Sequence, residues 1–409
     1  MTYKNNITYF LGILIFFLFT GSALSQQNRS YELLAYPDVW YNDIDGIRVG
    51  GRVIGQVPGT FKDGPHRLNV GLWLSTWFPD YPVSYNLQFV EPIPSISGFN
   101  SEANIELGST VRTGIYRHSV TFNKRWQQGY NEYQYITLSA GLMVQKRFED
   151  IYTHYPALWQ GERLWLGSLH FKLQNTNSLG RYKIKTSLHG NLFGDAPGFG
   201  QASSSFRQRI TLGSGFALRA RLAAGLADEN SAPEYLFGRS FAPANQWLEN
   251  SLVRAKGTIP TNWFDSGIFQ VSGGANLRGY SHKDISTLED GQLPLLSSFG
   301  AFNLELDYPN PIDKAMRKIP VVGNLLTLRS YLFLDSGTSL GITELEESRV
   351  LSDAGLGFMF SLNIPDYLGN SRGIMLGIVN CPPLWLSNPG QENHLKYRNI
   401  IGIGAIFTF

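Results

Sequence analysis

The residues with the clearest chemical potential are one arginine and two carboxylates in separate stretches of the chain. Arg278 lies among glycines in Val271–Tyr280, where the backbone can turn sharply. Glu305 and Asp335 lie in stretches with the alternating pattern of β-strands. An enclosed carboxylate is costly unless a nearby cation neutralises it. Arg278, on a stretch that can bend inward, is the candidate cation, so the expected chemistry is a buried ion pair.

Strand periodicity places each carboxylate on the polar face of its predicted strand. In Phe302–Pro309 that face consists of Asn303, Glu305 and Asp307. In Tyr331–Gly337 one face, opposite two leucines, consists of Tyr331, Phe333, Asp335 and Gly337. If both polar faces are enclosed, the two acids require the same kind of partner, and one inward-folding arginine can serve both.

No set of residues indicates catalysis or cofactor binding. The seven histidines are scattered, without metal-ligand spacing. The glycine-rich run Gly194–Gly200 lacks a phosphate-loop lysine. The single cysteine, Cys381, cannot form an intrachain disulfide or a cysteine-based metal site. A net charge of +2 argues against a nucleic-acid partner. We expect no enzymatic activity, no cofactor, no metal ion and no nucleic acid.

Three motifs resemble the elements that mark one superfamily of outer-membrane barrels. They are Arg278-Gly279-Tyr280, Phe333-x-Asp335-x-Gly337 and the strand from Glu305 to Pro309. In this order they resemble the BamA-like (Omp-eighty-five) superfamily, most clearly over the C-terminal third of the chain. The resemblance implies that the arginine loop folds into the lumen and that Arg278 pairs with Asp335 and Glu305. We call this predicted set the lumen lock: Arg278, Gly279, Tyr280, Glu305, Phe333, Asp335 and Gly337.

The last residues resemble the β-signal by which outer-membrane proteins are recognised for assembly. From Ile401 onward apolar residues alternate along a predicted strand that ends in a free phenylalanine. The Gly-x-x-aromatic-x-aromatic form of the signal falls at Gly404, Phe407 and Phe409.

The first 25 residues have the pattern of a cleavable secretory signal peptide. Lys4 precedes an apolar run from Ile7 to Phe19, and Ala23-Leu24-Ser25 provides a cleavage site. The run is shorter than the ~20 residues that a spanning helix needs. We therefore predict a signal peptide at 1–25, a short irregular periplasmic segment at 26–46 and an outer-membrane barrel at 47–409. That segment is too short for the periplasmic polypeptide-transport domains of the superfamily, so the resemblance is to a member without them.

Composition and alternation predict an all-β fold, a transmembrane antiparallel barrel of ~16 strands. Charged residues are 16% of the chain, against a typical ~25%, while aromatic residues reach 13%. This composition suits strands that alternate lipid-facing and lumen-facing residues. Strand patterns separated by Gly, Pro, Asn and Asp turns occur at Ile47–Gln56, Leu68–Phe78, Ser84–Val90, Ala103–Val111, Arg112–Trp126, Tyr133–Phe148, Arg163–Leu173, Tyr182–Phe193, Phe206–Leu212, Ala217–Ala227, Ala301–Tyr308, Leu326–Gly337, Leu356–Ile364, Gly373–Val379 and Lys396–Phe409.

Two connections differ from simple turns. The stretch 230–295 lacks sustained alternation and predicts a long extracellular loop that folds inward; Ile342–Arg349 and Asn380–His394 are predicted to lie outside as well. On the periplasmic side, Asn310 can cap a helix that starts at Pro311. Its apolar face would consist of Ile312, Ala315, Met316 and Ile319. We expect this helix to pack under the barrel, with partner docking as the alternative.

The resemblance implies a function in assembly or translocation of proteins at the Gram-negative outer membrane. The barrel would contact lipid and lipopolysaccharide, handle protein clients and work with a separate periplasmic or lipoprotein partner. Its seam would join Ile47–Gln56 to Lys396–Phe409, where Gly402 and Gly404 weaken the closing strand.

Two alternatives remain open from the sequence. One is a passive, porin-like channel in which the inward loop forms a constriction. The other is a surface scaffold whose outer loops bind a partner through Trp247, Trp263 and Trp385, residues that could equally belong to the interfacial aromatic girdle.

Overall fold

The computed structural model describes most of the chain beyond the leader. The described residues are 30–57, 65–77, 83–129, 131, 133–250, 253–280, 295–319, 322–341, 350–365, 371–374, 381–387, 394–398 and 400–403. The predicted signal peptide, the outer loop 342–349 and the three β-signal residues Gly404, Phe407 and Phe409 lie outside them.

The described elements are mostly strands, numbered here in chain order. They are β1 Glu32–Asn42, β2 Gly46–Gln56, β3 Arg67–Ser75, β4 Val83–Pro92, β5 Ser101–Arg112, β6 Ile115–Gln127, β7 Tyr135–Arg147, β8 Leu164–Asn177, β9 Gly180–Phe193, β10 Phe199–Gly213, β11 Phe216–Ala227, β12 Phe237–Gly238, β13 Phe269–Val271, β14 Leu295–Tyr308, β15 Leu326–Gly341, β16 Val350–Pro365, β17 Ser371–Ile374, β18 Cys381–Leu386, β19 Leu395–Arg398 and β20 Ile401–Ile403. The α-helices are α1 Ala244–Trp247, α2 Thr261–Asp265, α3 Pro311–Met316 and α4 Val322–Leu325. Among the described residues, no helix combines the length and apolar character needed to cross a membrane.

The wall is an antiparallel meander in which each strand pairs with the next along the chain. Paired registers run without interruption from β1 to β11 and continue through β14, β15 and β16. The short β12 extends β11 along β14, and β17 and β18 both lie beside β16, before β19. The described strands therefore occupy sixteen positions in the sheet, as predicted.

The side chains of the wall are arranged with the apolar face outward. On β11, Leu222 and Leu226 are 54% and 68% exposed, whereas Arg221 on the other face is only 6% exposed. A water-soluble sheet would bury such leucines and expose the arginine. The reverse arrangement is stable where the outer face meets lipid and the inner face encloses polar groups. The fold is a transmembrane antiparallel β-barrel.

One segment fills the interior and shows that the sheet curls around it. This segment, residues 228–280, is called the plug. It contacts the β1–β2 turn through a hydrogen bond from the Asp43 amide to the Gly257 carbonyl, 3.2 Å. It also reaches the inner faces of β7, through Gln145, and of β14, through Glu305. A single segment can touch strands so far apart in the meander only if the wall surrounds it. The predicted inward-folding loop is therefore present.

The first wall strand precedes the predicted start of the barrel. We expected 26–46 to be irregular, but Glu32–Asn42 forms β1 and pairs along its whole length with β2. Pro37 lies in this strand, and proline is tolerated where a strand has a partner on one side only; among the described strands, β1 pairs with β2 alone. Consequently Ile47–Gln56 lies between β1 and β3, and the prediction that it forms the seam was wrong.

The described end of the chain also departs from a simple closing strand. Ile401–Ile403 pairs in parallel with Phe269–Val271 of the plug, and the Ile401 amide donates to the Ile268 carbonyl at 2.6 Å. We expected Lys396–Phe409 to be one continuous wall strand. The observed pairing places part of it against the plug instead.

The turn helix at the opposite end forms as predicted but packs differently. Asn310 accepts a hydrogen bond from the Ile312 amide at 2.8 Å and caps Pro311–Met316. Ile312 and Ile319 are 60% and 50% exposed. The expectation that this apolar face packs under the barrel was therefore wrong for these two residues.

Candidate functional site

A short kinked stretch of the plug presents Arg278 to the wall. Gly274 adopts a φ of +57°, and a β-carbon there would lie 2.4 Å from the Gly238 carbonyl oxygen, so glycine is required on both counts. The Leu277 amide then donates to the Arg239 carbonyl at 3.0 Å. This bond ties the stretch to the segment after β12 and aims the next residue, Arg278, at β14 and β15.

The guanidinium of Arg278 binds both carboxylates of the predicted lumen lock. Its Nε and Nη2 donate to the two oxygens of Asp335 at 2.6 and 2.8 Å, and its Nη1 donates to Glu305 Oε1 at 2.8 Å. The side chains of Arg278, Glu305 and Asp335 are at most 2% exposed. The Arg278 guanidinium carbon also lies 3.8 Å from the centre of the Phe333 ring, a cation–π contact. The predicted partners are thus brought together.

A second layer of polar residues supports the two carboxylates. Arg329 binds the remaining oxygen of Glu305 and donates from Nε to Asp307 at 2.6 Å. Asn303 donates to Asp335 Oδ1 at 2.9 Å and accepts from Arg221 at 2.6 Å. Arg221 in turn donates to the Gly274 carbonyl of the plug at 2.7 Å. The ion pairs therefore belong to a connected network that joins β11, β14 and β15 to the plug.

The glycines of the lumen lock provide room for close approach. A β-carbon on Gly279 would lie 2.3 Å from Leu386 Cδ2 and 2.7 Å from Asp353 Cβ. A β-carbon on Gly337 would lie 3.0 Å from the Gly300 carbonyl oxygen and 3.4 Å from Leu277 Cδ2. Tyr280 donates its hydroxyl to the Ser352 carbonyl at 3.2 Å. Gly279 and Tyr280 thereby hold the plug against β16, while Gly337 leaves space beneath Leu277.

The electrostatics favour a permanently charged arginine. Burial disfavours the guanidinium charge, but Asp335 and Glu305 outweigh that effect and raise the pKa of Arg278 above its ordinary value. Every oxygen that Arg278 contacts also belongs to a carboxylate held by further donors. Removing Arg278 would leave Asp335 enclosed without a cation and Glu305 with Arg329 alone, and an uncompensated buried charge is the costly case for buried ion pairs.

Several residues of the network were not predicted, although the pattern carried a signal for some. Arg329 has the same strand parity as Asp335, and Arg221 alternates with outward leucines on β11. Asp353 lies directly opposite Asp335 in the β15–β16 register and is fully buried. Identifying Asp353 required that register, which sequence alone does not provide.

The rest of the plug forms a body packed around an apolar cluster that also includes Ile115 and Leu295 of the wall. Phe241, Trp247, Val253, Phe264 and Phe269 form a buried apolar cluster. Trp247 is 2% exposed, so the suggestion that it anchors a surface partner was wrong.

A buried carboxylate links this plug body to the far side of the wall. Glu234 accepts from Gln145 Nε2 at 3.0 Å and from the Gln160 amide at 2.9 Å. The pKa of Glu234 is raised, chiefly because burial disfavours its charge. The plug is therefore fixed on two sides of the lumen.

A buried histidine between the plug and the 148–163 connection gives a pH prediction. His154 stacks on Phe264 of the plug, with ring centres 4.5 Å apart. Burial, aided by the charge of Lys256, lowers the pKa of His154 from 6.5 to about 4. The unfolded chain then binds the proton more readily, so the stability is present above pH 6.5 and is lost as the pH falls towards 4.

We expect limited proteolysis of the plug to accelerate across that pH window. The control is His154→Phe, which keeps an aromatic ring on Phe264 but cannot titrate. An equal acceleration in the wild type and the variant would show that His154 does not carry the effect.

Within the described residues, no group of three or more His, Cys, Asp or Glu side chains is arranged to hold a metal ion.

Comparisons with known proteins give remote likenesses. No protein-family model and no curated protein matches the sequence. Among solved structures, the chain is similar to BamA from Haemophilus ducreyi lacking POTRA domains 1-3, with 13% identity and a TM-score of 0.47, over 91% of this chain and 69% of that one. It is also similar to CdiB from Escherichia coli (11%, 0.41), over 83% of this chain and 57% of CdiB, little more than half its length. The chain is similar as well to a bacterial polysaccharide outer membrane secretin, with 10% identity and a TM-score of 0.36, over 83% of this chain and 88% of that one.

Proposed function

We propose that this chain acts in the assembly or translocation of other proteins at the Gram-negative outer membrane, without enzymatic activity. The observation that carries the proposal is the plug. Its Arg278 is bound to Asp335 and Glu305 on one side of the wall, and its Glu234 accepts from Gln145 on the other. A lumen occupied in this way suits a barrel that handles clients at its wall better than a passive, open conduit.

The pairing of the chain end with the plug supports the same reading. Because Ile401–Ile403 pairs with Phe269–Val271 of the plug, a movement of the plug is mechanically linked to a rearrangement of this strand. A client strand engaging the wall near β1 would therefore be sensed at the lumen lock. The motif resemblance to the BamA-like superfamily points in this direction as well.

We propose further that a separate periplasmic or lipoprotein partner docks on the turn helix Pro311–Met316. The exposed Ile312 and Ile319 provide an apolar contact, and Lys314, Arg317 and Lys318 surround it with positive charge. A partner with an acidic rim around an apolar centre fits this surface. Site-specific photocrosslinking from Ile312 should capture one stoichiometric companion, whereas a crosslinker at exposed Leu179 serves as control.

The function itself is tested by depletion. Loss of the chain should lower the amount of folded outer-membrane proteins, measured as the heat-modifiable fraction on gels, without lowering their synthesis. An unchanged outer-membrane proteome would contradict the proposal. Large, steady openings of the purified barrel in planar bilayers would instead favour the passive channel.

A further inference from the structure

A cluster of like charges lines the lumen away from the lumen lock. We call it the cation ladder, and it consists of Lys172 on β8, Lys183 and Lys185 on β9, and Arg207 and Arg209 on β10. All five share the inner face of the wall. On β9 that face is identified by His189, whose ring lies 5.4 Å from Tyr235 of the plug, centre to centre. The outward neighbours on β8 are the exposed Leu169 and Phe171.

The strand registers set these cations directly against one another. Lys172 lies opposite Lys185, and Lys183 lies opposite Arg207. Arg207 in turn lies opposite Arg221, and Arg209 lies opposite Arg219. Directly opposed side chains are ~5 Å apart at Cβ, and like charges in such pairs are destabilising. Repetition of this arrangement on four neighbouring strands needs a compensating negative charge.

The described residues do not supply that charge. Arg219 is bound to Asp307, and Arg221 to Asn303 and the plug. Within the described ranges, no ion pair joins a ladder residue to a carboxylate.

The carboxylate of Glu305 is close enough to act on the cation ladder electrostatically, but it is already paired with other arginines. Glu305 influences Arg207 electrostatically, but its two oxygens are occupied by Arg278 and Arg329. The Nε atoms of Arg207 and Arg209 are buried without a hydrogen-bond partner in the described structure. Donors are thus present in excess of acceptors.

The geometry points to a lumenal binding site for a polyvalent phosphate oxyanion, which we propose as a property of this barrel independent of its proposed function. Successive inward residues on a strand are ~7 Å apart, and neighbouring strands ~5 Å apart. The ladder therefore presents cations at spacings that one or two linked phosphate groups can bridge. Arginine offers a fork of donors, lysine a point charge. Ser205, opposite Lys185, adds a hydroxyl.

The test measures unfolding temperature against ligand concentration for the purified full chain in detergent, with pyrophosphate as probe and sodium chloride at equal ionic strength as reference. Pyrophosphate should give a saturable rise beyond that of chloride. In K183Q/K185Q the rise should disappear, or the same rise should need a pyrophosphate concentration at least about tenfold higher, because two charge-assisted contacts are lost. The matched control is K314Q/K318Q on the exposed turn helix, which should respond as the wild type does.

The unfolding temperature without phosphate is a second readout, which tests whether the ladder lysines repel one another in the folded barrel. Because the ladder is self-repelling, K183Q/K185Q should unfold at a temperature equal to or above that of the wild type when no phosphate is present. A lower temperature would mean that the lysines already have a partner, and it would overturn the proposal.

Further arms distinguish the source of the phosphate and the competing ligand. A soluble phosphate should raise the unfolding temperature in detergent alone. A lipid headgroup should raise it only when phosphate-bearing lipid is supplied in nanodiscs. Either source supports the site if K183Q/K185Q abolishes the rise. No rise beyond chloride in any arm would overturn the proposal. So would a saturable rise with an oligoglutamate peptide that exceeds the rise with pyrophosphate.

Discussion

Replacing Arg278 by alanine should destabilise the folded barrel by about 3–5 kcal/mol, because Asp335 would remain enclosed without a counter-charge and Glu305 would keep only Arg329. The denaturant midpoint, followed by tryptophan fluorescence, should fall, and the heat-modifiable fraction on gels should decrease. The matched control is Arg317→Ala on the turn helix. Arg317 also pairs with an acid, Asp313, but its side chain is 62% exposed, so its loss should cost about 0–1 kcal/mol.

A neutral replacement separates the charge from the shape of the site. Arg278→Met combined with Glu305→Gln and Asp335→Asn removes both buried anions together with the cation. Much of the stability lost in Arg278→Ala should return, because neither of the two anions that Arg278 neutralises stays enclosed. Equal midpoints for Arg278→Ala and Arg317→Ala would contradict a buried lock.

Replacing Gly279 by valine should push the plug away from the wall while leaving every charge in place. The new β-carbon would collide with Leu386 and Asp353, and such overpacking costs about 1–3 kcal/mol. The displaced plug should raise the frequency of channel openings in planar bilayers and expose 228–280 to protease. This effect is distinct from that of Arg278→Ala, because the ion pairs stretch but are not deleted.

The matched control for Gly279→Val is a glycine of the wall with open space around it. Gly300 on β14 has no heavy atom within 4 Å of the position that a β-carbon would occupy. Gly300→Val should therefore keep wild-type conductance and protease resistance. If both valine variants behave like the wild type, close contact at Gly279 does not hold the plug.

Strand periodicity was sufficient to place the carboxylates of the lock. Side-chain alternation is local, so Glu305 and Asp335 could be assigned to inner faces before any pairing was known. Arg278 followed from the enclosed charge and the flexible glycines around it. The lipid-facing leucines and the strand number also follow from local alternation, which explains why the barrel itself could be predicted.

Features that depend on contacts between distant residues could not be predicted in this way. Asp353 joins the site only through the β15–β16 register, and register is not encoded by one strand alone. The plug core around Phe264 lacks any repeating period, because its residues meet in short turns and single-turn helices. The parallel pairing of Ile401 with Phe269 joins segments over a hundred residues apart.

Two of the wrong predictions concern residues that are compatible with two different environments. Pro37 breaks a central strand but is compatible with the edge position of β1. Trp247 suits a membrane interface or a partner surface, yet it packs inside the plug, where its indole N–H donates to the Ala242 carbonyl at 2.9 Å. In both cases the choice was made by tertiary packing rather than by propensity.

The buried ion pairs of the lumen lock can be observed in an experimental structure of the barrel in a lipid nanodisc, at a resolution that shows side chains. We expect the Arg278 guanidinium within hydrogen-bond distance of both Asp335 and Glu305, with the plug inside the barrel. A guanidinium that faces bulk water, remote from the two carboxylates, would contradict it.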